Sequence, residues 1–277
     1  MSGNGHDVGA LGGDALLDAL ESGEVRVASR DASGRWIVDT RVKEGILAIF
    51  RGSPVVALRL EIPFASVPAD ANAPSAFVDK AALPPRRFAA DAGVRVVPGG
   101  SSVRRGAHIG RGVILMPPCF VNVGAYVGAG SMVDSHALVG SCAQIGERVH
   151  VSAAAQIGGV IEPAGARPVI VEDDVFVGGN TGLYEGVLVR RRAVIAAGVV
   201  LSASTPVFDL VNEREIRGTR SDPLEIPEGA VVVPGSRSVA QKSAFASKHG
   251  LNVACALIVK YRDEKTDSAT VLEDAIR

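Results

Sequence analysis

The chain reads as a mainly β protein built on a parallel β-helix of six-residue repeats, with a small N-terminal α/β unit and a short C-terminal β/α extension. Three observations predict this. An aliphatic residue recurs every six positions: Val103, Ile109, Leu115, Val121, Val127, Val133, Val139, Ile145, Val151 and Ile157, then Val171, Val177, Leu183, Val189, Ile195, Leu201 and Val207. Four places after the aliphatic, a small or β-branched residue is usual, as at Ala107, Cys119, Ala125, Ser131, Ala137, Ala143, Ala155, Thr181 and Ala193. The composition is 47% hydrophobic but only 4% aromatic, with 32 glycines, which suits closely spaced strands and tight corners.

An α-helix repeats every 3.6 residues and an ordinary strand every two, so neither produces a fixed six. Each hexad supplies one short strand and one corner. The aliphatic fills the interior, and the small residue lets the corner close. Three hexads make a triangular coil, and coils stack about 4.8 Å apart, so the hexads above give nearly six coils and a prism roughly 27 Å tall. The step from Ile157 to Val171 is two hexads plus two residues, with the extra length in the loop Glu162–Pro168. After Asp209 the repeat reads as ended. The expected division is 1–95, 96–211 and 212–277.

The flanks follow from local pattern. Gly3–Gly13 reads as a leader, and Leu16, Leu17 and Leu20 give Asp14–Ser22 a helical face. Val25–Val27 and Trp36–Val38 read as strands about the turn Asp31–Gly34, and Val42–Phe50 as a helix. Ala69–Pro85 is an irregular connector rich in Ala and Pro. Beyond the repeat, Asn212–Arg220 suits a loop or hairpin tip, and Ala230–Pro234 and Val253–Tyr261 suit strands. Ser238–Lys248 is read as a loop or short helix, and Glu264–Arg277 as a terminal helix.

Charge and cysteine content exclude several classes. Lys plus Arg (29) nearly cancels Asp plus Glu (30), so neither nucleic acid nor a membrane surface is an expected partner. The three cysteines, Cys119, Cys142 and Cys255, form no CxxC pair, which argues against a disulfide framework or zinc knuckle. Met1–Leu20 has no charged segment followed by an apolar one, and no run approaches a membrane span. A soluble cytoplasmic protein is expected.

A stack of like coils has no pocket of its own; its faces pack against other copies, and the grooves between them become sites. Polar residues that break the repeat are therefore the candidates. Asp134 stands where Gly is usual; it can take a proton from an attacking amine, or cap a corner. His108, His136 and His150 fall within the repeat and are candidate bases or structural residues; their spacing does not suit a zinc site, and no metal is expected. Glu185 is a catalytic candidate or a solvated corner. Arg190–Arg192 reads more readily as a solvated face than as a phosphate site. Arg95 can clamp a carboxylate or form a surface ion pair.

Several stretches resemble the tetrahydrodipicolinate N-succinyltransferase family: RVVP (Arg95–Pro98), VNVGAY (Val121–Tyr126), MVD (Met132–Asp134), VGSCAQIG (Val139–Gly146), IGGVIEP (Ile157–Pro163) and YEGV (Tyr184–Val187). The likeness runs from about residue 16 to about residue 262, and includes Ser22-Gly23 and Trp36. It implies a left hand for the β-helix, where the general rule for parallel crossovers predicts a right hand. It also implies a homotrimer with sites between subunits, and transfer of succinyl from succinyl-CoA to the nitrogen of tetrahydrodipicolinate, a step of lysine and diaminopimelate synthesis. By the same resemblance Arg95 binds substrate and Asp134 is the catalytic acid residue. A second acid of the family falls at Gly182, leaving Glu185 as the nearest carboxylate. His136 replaces an aromatic, so no role transfers to it. Arg217 or Arg220 would bind a further substrate carboxylate. Groove geometry would put CoA against Ala197, Gly198 and the strand at Val233–Gly235. The alternatives are an acetyl-CoA-dependent acyltransferase on a related amine and a structural β-helix without chemistry. Nucleotidyl transfer is disfavoured because residues 1–95 lack a Gly-rich nucleotide loop.

Overall fold

The computed structural model describes residues 11–58, 77–219 and 221–263. Two readings, the leader through residue 10 and the terminal helix Glu264–Arg277, lie outside them, as do Arg220 and 69–76 of the connector.

The hexads form two-residue parallel strands on three faces. Strands pair eighteen residues apart: Met132 with His150, Val133 with Val151, Tyr126 with Gln144, Leu138 with Gln156. Two faces have six strands, and the third reaches ten. Every aliphatic of the repeat is buried in one core cluster, from Val103 to Val207. The small residues four places on are buried as well, Ala107, Ala137, Ala155 and Thr181 among them. Burial of both sets supplies the main driving force for the stack.

The ladder departs from the sequence reading in two places. Gln144 pairs with Ile170, so one hexad carries an eight-residue excursion; no strand falls within 158–169. Val207 keeps the sixfold spacing but leaves the coil. Its strand, Val207–Asp209, pairs with Arg214–Ile216 as a hairpin and lies beside Asn252–Tyr261. The coil itself resumes later: Glu225–Ile226 pairs with Leu188–Val189, and Val231–Val232 with Val194–Ile195. The spacing misleads here because it records burial, and Val207 is fully buried without occupying a rung.

The N-terminal unit contains α1 (Gly13–Ser22) and α2 (Thr40–Gly52). Gly23, in the left-handed region, returns its N–H to Leu20 and ends α1. Asp39 caps α2 by accepting from the Arg41 N–H. Between them Ala28–Arg30 and Trp36–Val38 pair as a hairpin, the first strand three residues later than the pattern suggested. This unit covers one six-stranded face. Arg26 lies 3.7 Å over the Tyr126 ring and donates to Gln144; Trp36 packs on Ile170 and Leu188. Leu17, Val27 and Ile46 grip one edge of the prism, joining Val123 and Cys142 in a second core. Gly106 is required there: a Cβ would stand 2.5 Å from Leu17 Cδ2, and its φ is +79°.

At the other end Ala230–Ser238 and Asn252–Tyr261 form a long antiparallel pair joined through the 3₁₀ turn Ala240–Lys242 and α3 (Ala244–Lys248). Buried Asp209 fastens the hairpin to this arm, accepting from Tyr261, Asn212 and Arg214. Burial alone would raise this carboxyl, but those donors outweigh it and hold it at about 2. None of the helices among the described residues is long and apolar enough to cross a membrane.

Candidate functional site

The three edges of the prism differ in chemistry, and the hexad period decides which residue falls on which edge. The first edge joins the long, ten-stranded face to the open six-stranded face. Its corners are Pro117-Pro118, Asp134–His136, Ser152–Ala154, Gly178–Asn180 and Ala196–Gly198. From Ser152 upward these side chains, apart from Asn180, are small or absent. Asp134 and Ala197 are three coils apart on this edge, about 14 Å. Gly198 has open space where a Cβ would project, so the backbone there is accessible. The strand bearing Gly235 continues from the top of the same face, directly above Ile195.

Asp134 is partly exposed, and its Oδ1 accepts from the Ser135 N–H at 2.7 Å. Its Oδ2 stands 3.7 Å from His150 Nε2. Cys119, one coil below, has its thiol raised by burial, against a hydrogen bond with Ser101 and with a further push from the Asp134 charge. Arg95 lies at the foot of the long face, its strand paired with Ile114–Leu115; it is exposed and makes no ion pair with any described residue.

The second edge carries Glu185. Here the excursions 158–169 and 202–223 rise on either side of Tyr184, Glu185 and Gly186, enclosing a cleft of about 710 Å³. Gly158, Glu162, Ser204 and Thr219 also line it. Glu185 accepts from the Ala203 N–H at 3.1 Å. Arg217 sits just before this lining and pairs with Glu215 at 2.5 Å. At Gly182 a Cβ would meet the Tyr184 ring at 2.5 Å, so that ring occupies the ground a longer side chain would need. Within one chain, then, Asp134, Ala197 and Gly198 share an edge, with Arg95 at its foot and Gly235 at its top. Glu185 and Arg217 belong to another edge.

The histidines separate in the same way. His108 stacks on Tyr126 at 4.3 Å and bonds the Glu21 carbonyl, beneath the N-terminal unit. His136 takes a left-handed corner conformation beside Asp134 in sequence. His150, remote in sequence, is the one whose ring faces Asp134. The signal was the coil period itself, which stacks His150 on Met132. The third edge holds Arg190–Arg192 among carboxylates: Arg190 pairs with Glu172 and Glu225, and Arg148 with Asp174. Among the described residues no cluster of three or more His, Cys, Asp or Glu side chains is placed to hold a metal ion.

Stacked hexad coils with aliphatics inside and polar residues at their edges are the architecture of a hexapeptide-repeat transferase. A family model described as the hexapeptide repeat of succinyl-transferase matches residues 168–203, and one for the tetrahydrodipicolinate N-succinyltransferase N-terminal region matches 14–51. The chain is 45% identical to the 2,3,4,5-tetrahydropyridine-2,6-dicarboxylate N-succinyltransferase of Rhodopseudomonas palustris (strain BisA53), over 95% of this chain and 88% of that protein. The proteins of the same name from Nitrobacter hamburgensis (45% identity) and Chelativorans sp. (40%) also match over 95% of this chain, and over 88% and 87% of their own lengths. The chain belongs to the 2,3,4,5-tetrahydropyridine-2,6-dicarboxylate N-succinyltransferase family.

Proposed function

We infer that this protein moves a succinyl group from succinyl-CoA to the nitrogen of tetrahydrodipicolinate, in lysine and diaminopimelate synthesis. The observation that carries the reading is near full-length likeness to enzymes of that name, at up to 45% identity. The geometry supports it. Asp134 is the acidic group among the corners of its edge, which is lined mostly by small residues from Ser152 upward and runs up to Ala197, Gly198 and the Gly235 strand. A pantetheine arm fits along such a groove, with backbone amides at the corners as donors to the thioester oxygen.

The chemistry assigns roles. Tetrahydrodipicolinate is a cyclic imine without an N–H, so water adds across its C=N bond first. The secondary amine so formed attacks the thioester carbonyl, a C–N bond forms and the C–S bond breaks. The nitrogen's proton passes to Asp134, and the departing thiolate takes up a proton to leave as free CoA. The substrates carry three carboxylates, which call for cations; Arg95 is exposed and without an ion-pair partner among the described residues, and Arg217 supplies a second charge beside the cleft. Glu185 serves as a second acid or base from the cleft of a neighbouring copy. That arrangement requires an oligomer. A homotrimer of left-handed prisms, each with its two uncovered faces against its neighbours, provides it. The division at 95 and 211 separates the N-terminal unit from the bulk of the prism, whose last rungs, at Glu225–Ile226 and Val231–Val232, lie beyond 211.

Thiol release measured with succinyl-CoA and with acetyl-CoA, in the presence of tetrahydrodipicolinate, tests the reading. Preference for succinyl-CoA is expected; preference for acetyl-CoA overturns the donor assignment. Absence of saturable CoA binding at millimolar concentration would favour a structural β-helix.

A further inference from the structure

We propose that His150 is a positioning residue for the reaction, holding the Asp134 carboxylate in the orientation from which it accepts the proton of the attacking nitrogen. The proposal rests on the reading of Asp134 as the base.

Three observations carry it. The first is register. Met132 pairs with His150, so the imidazole is stacked on the outer side of the long face, one coil from the corner that Asp134 opens. The second is division of labour between the two carboxylate oxygens. Oδ1 is engaged by the Ser135 N–H at 2.7 Å, whereas Oδ2 faces His150 Nε2 at 3.7 Å. One oxygen is thus held by the backbone, and the other stands beside the ring at a separation just beyond a hydrogen bond. The third is the setting of the imidazole. Its side chain is only 13% exposed, and the Phe176 ring closes against it edge-on at 5.2 Å between centroids. A ring walled by Phe176 and stacked on Met132 has little freedom to turn away.

The consequence is kinetic. A carboxylate that must lie within hydrogen-bond reach of a reacting nitrogen loses rate when its orientation is left free, and a misplacement of about 1 Å costs on the order of 10²-fold. The neighbouring Cys119 thiol also senses the Asp134 charge, but its proton is held by burial, which leaves His150 as the partner able to direct Oδ2.

Two substitutions separate positioning from packing. His150→Phe preserves an aromatic ring in the column beside Phe176; His150→Gln places an amide N–H near the present Nε2. Positioning predicts that H150Q keeps turnover within about 3-fold of the parent and that H150F loses about 10-fold or more in kcat, with KM for succinyl-CoA unchanged. Packing predicts the reverse order. The cycle is completed with D134N and the double variant D134N/H150F. Residues that act as a unit are non-additive, so adding H150F to D134N should cost little more. If D134N abolishes turnover while H150F leaves it intact, or if the two losses multiply, His150 has no positioning role and the base assignment stands. If D134N itself retains turnover, the base assignment and this proposal both fall.

Discussion

The first and third edges flank the same long face, and identical corner geometry builds both, yet they treat charge in opposite ways. On the third edge Glu147, Glu172 and Asp174 each have an arginine at hand, and Asp173 accepts from the Glu147 N–H. Arg148 reaches Asp174 at 2.7 Å and Glu147 at 2.8 Å, and Glu172 gathers Arg30, Arg190 and the Trp36 indole N–H. On the first edge the carboxylate of Asp134 meets a backbone N–H and an imidazole. The contrast teaches which charges belong to assembly and which to chemistry. A carboxylate neutralised by guanidinium groups fastens coils or docks the N-terminal hairpin. One set beside a bare groove, as Asp134 is, is the one proposed to meet a substrate.

The sharpest way to break this contrast is Asp134→Asn. Shape is conserved and the amide cannot take up a proton, so turnover should fall about 10²-fold or more with the melting temperature unchanged. Steady-state kinetics beside calorimetry decide it, and near-normal turnover would return Asp134 to a corner cap. Glu172→Ala is the reciprocal test. It should lower stability by about 2 kcal/mol, through loss of the buried acceptor of Trp36 and its arginines, while kcat remains. A denaturant titration reads the first quantity and an assay in buffer the second.

Acid should strip the third edge in a defined direction. Arg148, against the effect of partial burial, holds Asp174 below the usual carboxylate range. A depressed folded value means that its contribution is complete above an unfolded pKa of about 3.9 and disappears as pH falls through the folded one. Melting temperature followed from pH 6 to 3 should therefore decline at the acid end, and Asp174→Asn should flatten that decline. The smallest effect belongs to Arg148→Ala, an exposed pair, at no more than about 1 kcal/mol and with no change in turnover. A larger loss would show that surface corners lock the coils more firmly than screened charges normally do.

Much of the prism was legible because burial and period coincide: Val133, Val139 and Ile145 name their own rungs. Val207 shows the limit. It has the right spacing and full burial, but its backbone pairs with the C-terminal arm, and no residue pattern distinguishes those partners. Asp134 was visible because it interrupts a glycine position. The His150 contact was not, since 136 is nearer in sequence and only the eighteen-residue stacking brings 150 to Oδ2. Glu185 and Asp134 look like a pair along the chain, but the corner count sends them to different edges.

The eighteen-residue step also gives the chain something like a reading frame. Removing one residue from within a coil would put every later aliphatic one place out of step with the inward position, whereas the excursions at 158–169 and 202–223 leave the frame and re-enter it in phase. Length can thus be gained or lost around the Glu185 cleft without disturbing the line from Asp134 to Gly198. The cleft edge can therefore change in length while the edge proposed to carry the chemistry stays in register.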